Sequence, residues 1–430
     1  MNVEVVTIGD ELLLGFTVDT NAAHLARELA AVGIGIVRRT TVGDGAGDIG
    51  TAVREALDRT GAVITTGGLG PTSDDLTKPA IAAIFGRAMR FDEPTWESLR
   101  SRWKAFGWPG EIPDSNRQQA LIPIGAIILP NRHGSAPGVW LEDSRRRWVV
   151  MLPGVPREMR GMLRDELLPR LAVLAEDEPH VIVSRTLRTV GIGESALADK
   201  LGHLANGPPG LPLAFLPGWE GVDLRLTSRG RKGPEAALAL DAGVQHLRPV
   251  VQEYIYGEDQ ADLAAVVLGL LRARHSSLAV AESCTGGLLG ARITAIPGAS
   301  DVMRGGVIAY ADDIKQTQLG VSTKTLHDNG AVSEETARAM ARGVRERFKA
   351  DIGVSITGIA GPSGGSAEKP VGTVYIAVDV RGTLDAARLS LIGDRDEIRR
   401  RSTQAALNLL RRSLARRAIE TPSVSGGSTK

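Results

Sequence analysis

Ala279-Val280-Ala281-Glu282-Ser283-Cys284-Thr285-Gly286-Gly287-Leu288-Leu289-Gly290 is the stretch on which the reading of this chain turns. An apolar run ends at Glu282, Ser283 to Thr285 enter a Gly286-Gly287 turn, and a helical pattern begins at Leu288. The order is strand, tight turn, helix. Glycines at such a turn let a ligand approach the backbone, and the first turn of the following helix offers unpaired N–H groups that suit an anion. A hydroxyl at the strand end, with Thr285, Gly286 and Gly287 beside it, is therefore expected to border a phosphate or oxyanion site. Small residues are also common wherever a helix packs tightly on a sheet, so the stretch draws its weight from its surroundings.

Those surroundings carry the groups that acyl chemistry needs. Serine is a poor nucleophile until a base takes its proton, and a lysine can be that base. Tyr310 and Lys315 come at and just beyond a strand read over residues 306–310, while His275 and His327 lie outside the motifs. An amide hydrolase here would use lysine in place of histidine. Taken alone, Lys315 also reads as a surface lysine and Tyr310 as strand packing. Cys284 competes with Ser283 as nucleophile, or is a small buried residue. Thr357-Gly358-Ile359-Ala360-Gly361-Pro362-Ser363-Gly364-Gly365 is a second glycine-rich strand end in the same domain, suited to phosphate or an oxyanion. Helices over 263–273, 287–294 and 333–348, strands over 278–281 and 351–357, two more strands within 372–391 and a long basic helix from Arg395 complete an α/β domain over 260–418. The Ser/Gly-rich tail, 419–430, is expected to be disordered.

The first half alternates in the same way. Strands over 3–8, 34–42 and 62–66 are separated by helices over 21–32 and 49–57, and further strands follow over 126–129, 138–141 and 148–152. Such alternation implies a helix-covered parallel sheet, with ligands beyond the carboxyl ends of its strands. At those ends lie Gly9-Asp10-Glu11, then Thr66-Gly67-Gly68-Leu69-Gly70-Pro71-Thr72-Ser73-Asp74-Asp75, and Pro153-Gly154-Val155-Pro156-Arg157. Gly67, Gly68 and Gly70 can wrap a phosphate with backbone N–H groups, and Asp74 and Asp75 can hold a divalent cation that bridges to it. Alternatively, Ser73 to Asp75 merely cap the helix that starts near Leu76. A helix over 91–106 carries Trp96, Leu99 and Trp103 as a packed face. The polar break 175–179 separates residues 1–175 from a small α+β module over 180–252, whose Gly191-Ile192-Gly193-Glu194 lacks the spacing and basic character of a nucleic-acid clamp. That module reads as a spacer, and 253–259 as a connector to the last domain.

Composition sets outer limits. With 51 basic and 50 acidic residues the chain lacks the basic surface of a dedicated nucleic-acid binder, and its one cysteine fits a reducing cytoplasm. No segment approaches the roughly 20 apolar residues of a membrane span.

Ala281 to Gly287, Pro297-Gly298-Ala299-Ser300, Tyr310 with Lys315, Gly330 to Ser333, and Thr357 to Pro362 with Lys369 to Gly372 resemble the CinA C-terminal domain, the nicotinamide-nucleotide amidohydrolase of PncC type. Gly9 to Gly15 with Asn21, and Thr66 to Thr77, are similar to the CinA N-terminal domain, a three-layer fold shared with MoaB and MogA. The resemblance covers nearly the whole chain, with a KH-like module between the two domains. It implies a cytoplasmic, homodimeric enzyme of pyridine-nucleotide salvage. The C-terminal domain would hydrolyse nicotinamide mononucleotide to nicotinate mononucleotide and ammonia without a cofactor. Ser283 would be the nucleophile, Lys315 its base and Tyr310 an orienting partner, with an arginine at either Arg395 or Arg399. Thr285 to Gly287, Thr357 and Gly358 would bind substrate. The N-terminal domain would be a metal-dependent ADP-ribose pyrophosphatase, with Asn21, Gly67, Gly68 and Gly70 on the nucleotide and Asp74 and Asp75 near a divalent ion of unspecified identity. The chain departs from the family pattern at Phe16 and Asp19, where Gln and Asn are expected. Two competing readings are a molybdopterin-binding or transfer protein, which gives Ser283 and Lys315 no task, and a competence-associated DNA-binding protein, which the balanced charge disfavours.

Overall fold

The computed structural model describes residues 1–105, 107–174 and 180–419. The end of the aromatic helix at Phe106, the break at 175–179 and residues 420–430 of the tail lie outside the described residues. By their internal contacts the described residues divide into two compact units: Met1–Val183 with Ser228–Ala239, and Ser184–Thr227 with the chain from Leu240 onward.

In the first unit β1 (Asn2–Ile8), β2 (Gly35–Val42) and β3 (Ala62–Thr66) alternate with α1 (Thr20–Ala31) and α2 (Ala46–Thr60). With β4 (Ile127–Leu129), β5 (Gly138–Glu142) and β6 (Trp148–Leu152) they form a six-stranded sheet in the order β2-β1-β3-β6-β5-β4. The β1, β2, β3 and β6 pairings are parallel, whereas β5 is antiparallel to both β6 and β4. The sheet is therefore mixed. The eight residues between β4 and β5 are too few for the helical crossover that a parallel pair needs. Successive residues alternate faces: Val3, Val5 and Ile64 pack with Leu25, Leu29 and Met162, while Val6, Ile8 and Val63 pack with Val53, Leu57 and Ile81. Each such side chain contributes about 1.5–3 kcal/mol on burial. Helix α3 (Thr77–Ile84) follows the glycine loop, and α4 (Pro156–Met162) follows β6, running on through a π-type turn at Leu163–Leu167 into Leu168–Leu174. Two three-residue strands, Met89–Phe91 and Leu121–Pro123, pair antiparallel in a small separate sheet; nothing in their length marks them in sequence.

The middle α+β module contains β7 (His180–Thr189), α5 (Glu194–Leu201), β8 (Leu213–Pro217), β9 (Val222–Lys232), α6 (Gly233–Val251) and β10 (Ile255–Glu258), with strand order β8-β9-β7-β10. Residues 253–259, expected as a connector, thus supply an edge strand. Tyr256 is buried in the core of the C-terminal domain, which fixes that strand where local pattern alone suggested a link. The C-terminal domain then runs α7 (Leu263–Ala273), β11 (Leu278–Glu282), α8 (Leu288–Thr294), β12 (Met303–Ile308), α9 (Asp312–Leu319), α10 (Glu334–Arg347), β13 (Ile352–Gly358), β14 (Thr373–Val380), β15 (Thr383–Ser390) and α11 (Arg395–Ile419). Its sheet order is β12-β11-β13-β14-β15, parallel across the first three strands and antiparallel beyond. Leu278 and Val280 pack toward Leu289, Leu407 and Leu410, and Ala279 and Ala281 toward Met340 and Val344. Strand β12 ends at Ile308, two residues before Tyr310, so Tyr310 belongs to the loop beyond the sheet. No helix among the described residues is long and apolar enough to cross a membrane.

Candidate functional site

Ser283 stands where β11 ends, between its two parallel neighbours: its N–H donates to Ile356 O at 2.9 Å, and the Ala309 N–H donates to Glu282 O at 2.7 Å. Gly286 and Gly287, at φ 59° and 96°, make the left-handed turn that starts α8, a conformation that disfavours side chains. The amide groups of that turn are already engaged. Glu282, 1% exposed, accepts from the N–H of Gly287 at 3.1 Å, Leu289 at 3.0 Å and Gly290 at 2.8 Å, and the Gly286 N–H donates to Ser283 O. The expected anion site on the first turn of α8 is therefore corrected: the anion there is the chain's own carboxylate. Within the serine turn itself, the Thr285 hydroxyl is buried without a hydrogen-bond partner.

Lys315 is 2% exposed, in the second turn of α9, and is not a surface lysine. Its Nζ donates to Tyr310 O and to Asp312 Oδ1, both at 3.2 Å. No hydrogen bond joins it to Ser283 Oγ among the described residues. Tyr310 is exposed, and its hydroxyl accepts from Arg395 at 3.0 Å; the other arm of Arg395 reaches Gly361 O at 2.6 Å. Arg399 donates to Thr285 O at 2.8 Å. The two arginines left open by sequence thus hold different walls, one the tyrosine and the second glycine loop, the other the serine turn. Thr357 and Gly358 border the site without offering much to a ligand: the Thr357 hydroxyl donates to Ala331 O at 2.7 Å, and a Cβ at Gly358 would meet Val374 at 2.6 Å. Cys284 is buried, and that burial pushes its thiol up to about 12. A thiol held neutral is a poor nucleophile.

At the N-terminal strand ends, Gly67 to Pro71, Asp74, Asp75, Gly154 and Glu158 line a cleft of about 410 Å³. Gly67 has φ 106°, and a Cβ on it would lie 2.2 Å from Ile8 O, so only glycine fits. Here too the loop's polar groups are largely spent on one another. Gly67 N–H donates to Leu152 O, and Asp75 accepts from Gly70 N–H at 2.7 Å, Thr72 N–H at 2.8 Å and the Thr72 hydroxyl at 2.5 Å. Asp75 braces the loop rather than capping α3, whose first residue has no side-chain cap. Asp74 is exposed, its carboxyl held below the usual range by a hydrogen bond with Thr72. Asn21 Nδ2 donates to Gly154 O at 2.7 Å while its buried Oδ1 has no partner. Asp19 caps α1 by accepting from Ala22 N–H, a task that suits Asp as well as Asn.

Family models match the chain in three consecutive blocks: a probable molybdopterin binding domain over residues 4–173, the damage-inducible protein CinA KH domain over 184–257 and the CinA C-terminal domain over 260–414. A CinA-like protein from Gemmatimonas aurantiaca is 62% identical over 419 residues, covering 97% of this chain and 97% of the relative. The chain belongs to the CinA family. A CinA-like protein from Kosmotoga olearia is 41% identical over 415 residues, covering 96% of this chain and 99% of the relative. Among solved structures, the competence/damage inducible protein CihA from Agrobacterium tumefaciens is 41% identical, covering 36% of this chain and 93% of that one, at a TM-score of 0.35. This CinA chain therefore has a MoaB/MogA-like N-terminal domain, a KH domain in the middle and a CinA C-terminal domain.

Three residues at these sites escaped the sequence reading. Glu282 ends an apolar run, the one signal that its carboxylate turns inward. Lys78 is 2% exposed in the first turn of α3; its Nζ donates to Gln118 O and Gln119 O, both at 2.9 Å, and burial pushes it down to about 8. Glu158 lines the N-terminal cleft, accepts from Asn131 at 2.5 Å and is raised above the usual carboxylate range by burial. Among the described residues no three His, Cys, Asp or Glu side chains converge as a metal-binding set.

Proposed function

We propose that the C-terminal domain is a serine–lysine amide hydrolase acting on the carboxamide of nicotinamide mononucleotide. The observation that carries the reading is the buried amine of Lys315, held at 3.2 Å by one carbonyl and one carboxylate, in the helix that follows the strand paired with the one ending at Ser283. In this scheme Ser283 Oγ forms a bond to the carboxamide carbon as its proton passes to Lys315 Nζ. Lysine then returns that proton to the leaving nitrogen, which departs as ammonia, and water repeats the sequence on the ester to release nicotinate mononucleotide. Lysine serves as base only once its amine is neutral and turned from Tyr310 O to the serine; catalytic hydrogen bonds commonly tighten only when substrate is bound. Arg395 and Arg399 supply positive charge for the ligand's phosphate and hold the walls in place. The test is ammonia release from nicotinamide mononucleotide by the full chain: the wild type turns over and Ser283→Ala does not. A wild type that releases no ammonia refutes the reading.

A second reading concerns the N-terminal cleft, because it combines glycine turns, the exposed carboxylate of Asp74 and the half-buried carboxyl of Glu158. We infer that it hydrolyses the diphosphate of ADP-ribose. Asp74 and Asp75 would hold a divalent ion that bridges to the diphosphate. Hydrolysis of ADP-ribose with and without divalent metals, and its loss in Asp74→Asn, test this; wild-type rates in that variant refute the part given to Asp74.

A further inference from the structure

Away from the strand ends, the second unit encloses another cavity, of about 730 Å³. One wall is apolar, built from Ile376, Leu389 and Leu391 of the sheet region and Ala405 and Leu409 of α11. The facing wall consists of two glycine turns of the KH domain, Gly191-Ile192-Gly193 between β7 and α5 and Gly218 to Gly221 between β8 and β9. Arg401, Asn408 and Arg412 of α11 also line it. Their spacing of seven and eleven residues puts them within roughly 20° of one line along a helix of about 100° per residue, so the two arginines bracket the apolar floor about 16 Å apart.

Four arginines of α11, Arg395, Arg399, Arg400 and Arg411, have partners within the fold. Arg400 pairs with Asp396, and Arg411 donates to Ile255 O, Glu253 O and Asn408. Arg401 differs: its Nε is shielded from solvent and has no hydrogen-bond partner, and no acidic side chain among the described residues pairs with it. The carboxylate on the facing turn, Glu220, is already shared by Arg188 and Arg292. Folded proteins seldom leave a buried donor on a cation unmatched, because the lost hydration is not returned. Trp219, also in the wall, is held by the guanidinium groups of Arg292 and Arg400 at 5.0 and 5.9 Å from its ring centroid, so it meets a ligand already ordered.

We propose that this cleft binds a small organic anion with a flat apolar body. The acidic group accepts from Arg401, and the body lies on the floor between Leu389, Leu409 and Trp219. The glycine turns, which read as part of a spacer in sequence, let the ligand approach the backbone closely. The assignment is independent of the chemistry proposed for Ser283. The probe is 8-anilinonaphthalene-1-sulfonate, an aromatic monoanion that fluoresces when its rings leave water, titrated into the full-length protein. Arg401→Gln, which breaks no hydrogen bond or ion pair seen among the described residues, is expected to weaken binding by roughly tenfold or more, the worth of one charge-assisted hydrogen bond. Ser390→Trp, at an exposed position on the rim, is expected to block the cleft and abolish that binding with the thermal midpoint unchanged. Salicylate, a smaller aromatic monoanion, is expected to displace the dye. The proposal is overturned if the wild type binds no dye, or binds it with an affinity that neither variant alters.

Discussion

Lys78 and Lys315 are both 2% exposed, both lie early in a helix that follows a strand-end loop, and they are held in different ways. Lys78 is clamped by two backbone carbonyls at 2.9 Å, bonds that tie the start of α3 to residues 118–119. Lys315 has one carbonyl and one largely exposed carboxylate, each at 3.2 Å. The first arrangement satisfies an amine for the sake of the fold. The second leaves it more loosely held. Burial alone therefore does not identify a reactive lysine; what distinguishes the two is how firmly the rest of the chain already uses the nitrogen.

The largest expected effect separates them directly. Lys315→Met lowers the turnover of nicotinamide mononucleotide by about 10³-fold or more, as for a member of one catalytic unit, whereas Lys78→Met leaves ammonia release unchanged; equal losses in both would erase the contrast. The second effect is on stability. Lys78 titrates near 8 in the folded chain against an ordinary 10.5, so between those values the unfolded chain binds more protons and stability rises with pH, by up to about 3 kcal/mol. Urea unfolding followed by tryptophan fluorescence reads this well, since Trp96, Trp103, Trp108, Trp140 and Trp148 all lie in the first unit; the rise is expected in the wild type and absent from Lys78→Met.

The carboxylates of the two loops extend the comparison. Glu282 receives three N–H groups inside the core and Asp75 receives its donors at the surface of its loop. Glu282→Gln is expected to cost about 2 kcal/mol in thermal unfolding, and Asp75→Asn about 1 kcal/mol. The smallest effect is at the neighbouring thiol: Cys284→Ala keeps ammonia release within about twofold, because a thiol held near 12 takes no part. A large loss there would transfer the nucleophile from Ser283 to Cys284.

The elements legible in sequence were those whose side chains declare their own burial. The β-branched and apolar runs at Val3 to Ile8, Ala62 to Thr66 and Leu278 to Ala281, each closed by glycine or a short polar turn, marked both sheets and the strand ends where the candidate sites lie. What could not be read was set by partners distant in sequence. Ile255–Glu258 is a strand because β7 lies beside it and the C-terminal core receives Tyr256. The glycine turns looked like ligand cradles because sequence shows which N–H groups a loop has, not which are already taken; Glu282 and Asp75 take several of them. Ser283, Tyr310 and Lys315 were visible as a group because all three sit beyond the ends of adjacent parallel strands, a position that topology alone enforces. Arg395 and Arg399 could not be separated by spacing, being one helical turn apart, and each proves to hold a different wall.

The most direct test of the central claim is a double-mutant comparison of ammonia release from nicotinamide mononucleotide by the wild type, Ser283→Ala, Lys315→Met and the variant carrying both. If serine and lysine act as one unit, each single variant falls about as far as the double. Losses that multiply, or a Lys315→Met protein that turns over at the wild-type rate, would contradict the account and leave the buried lysine a structural residue like Lys78.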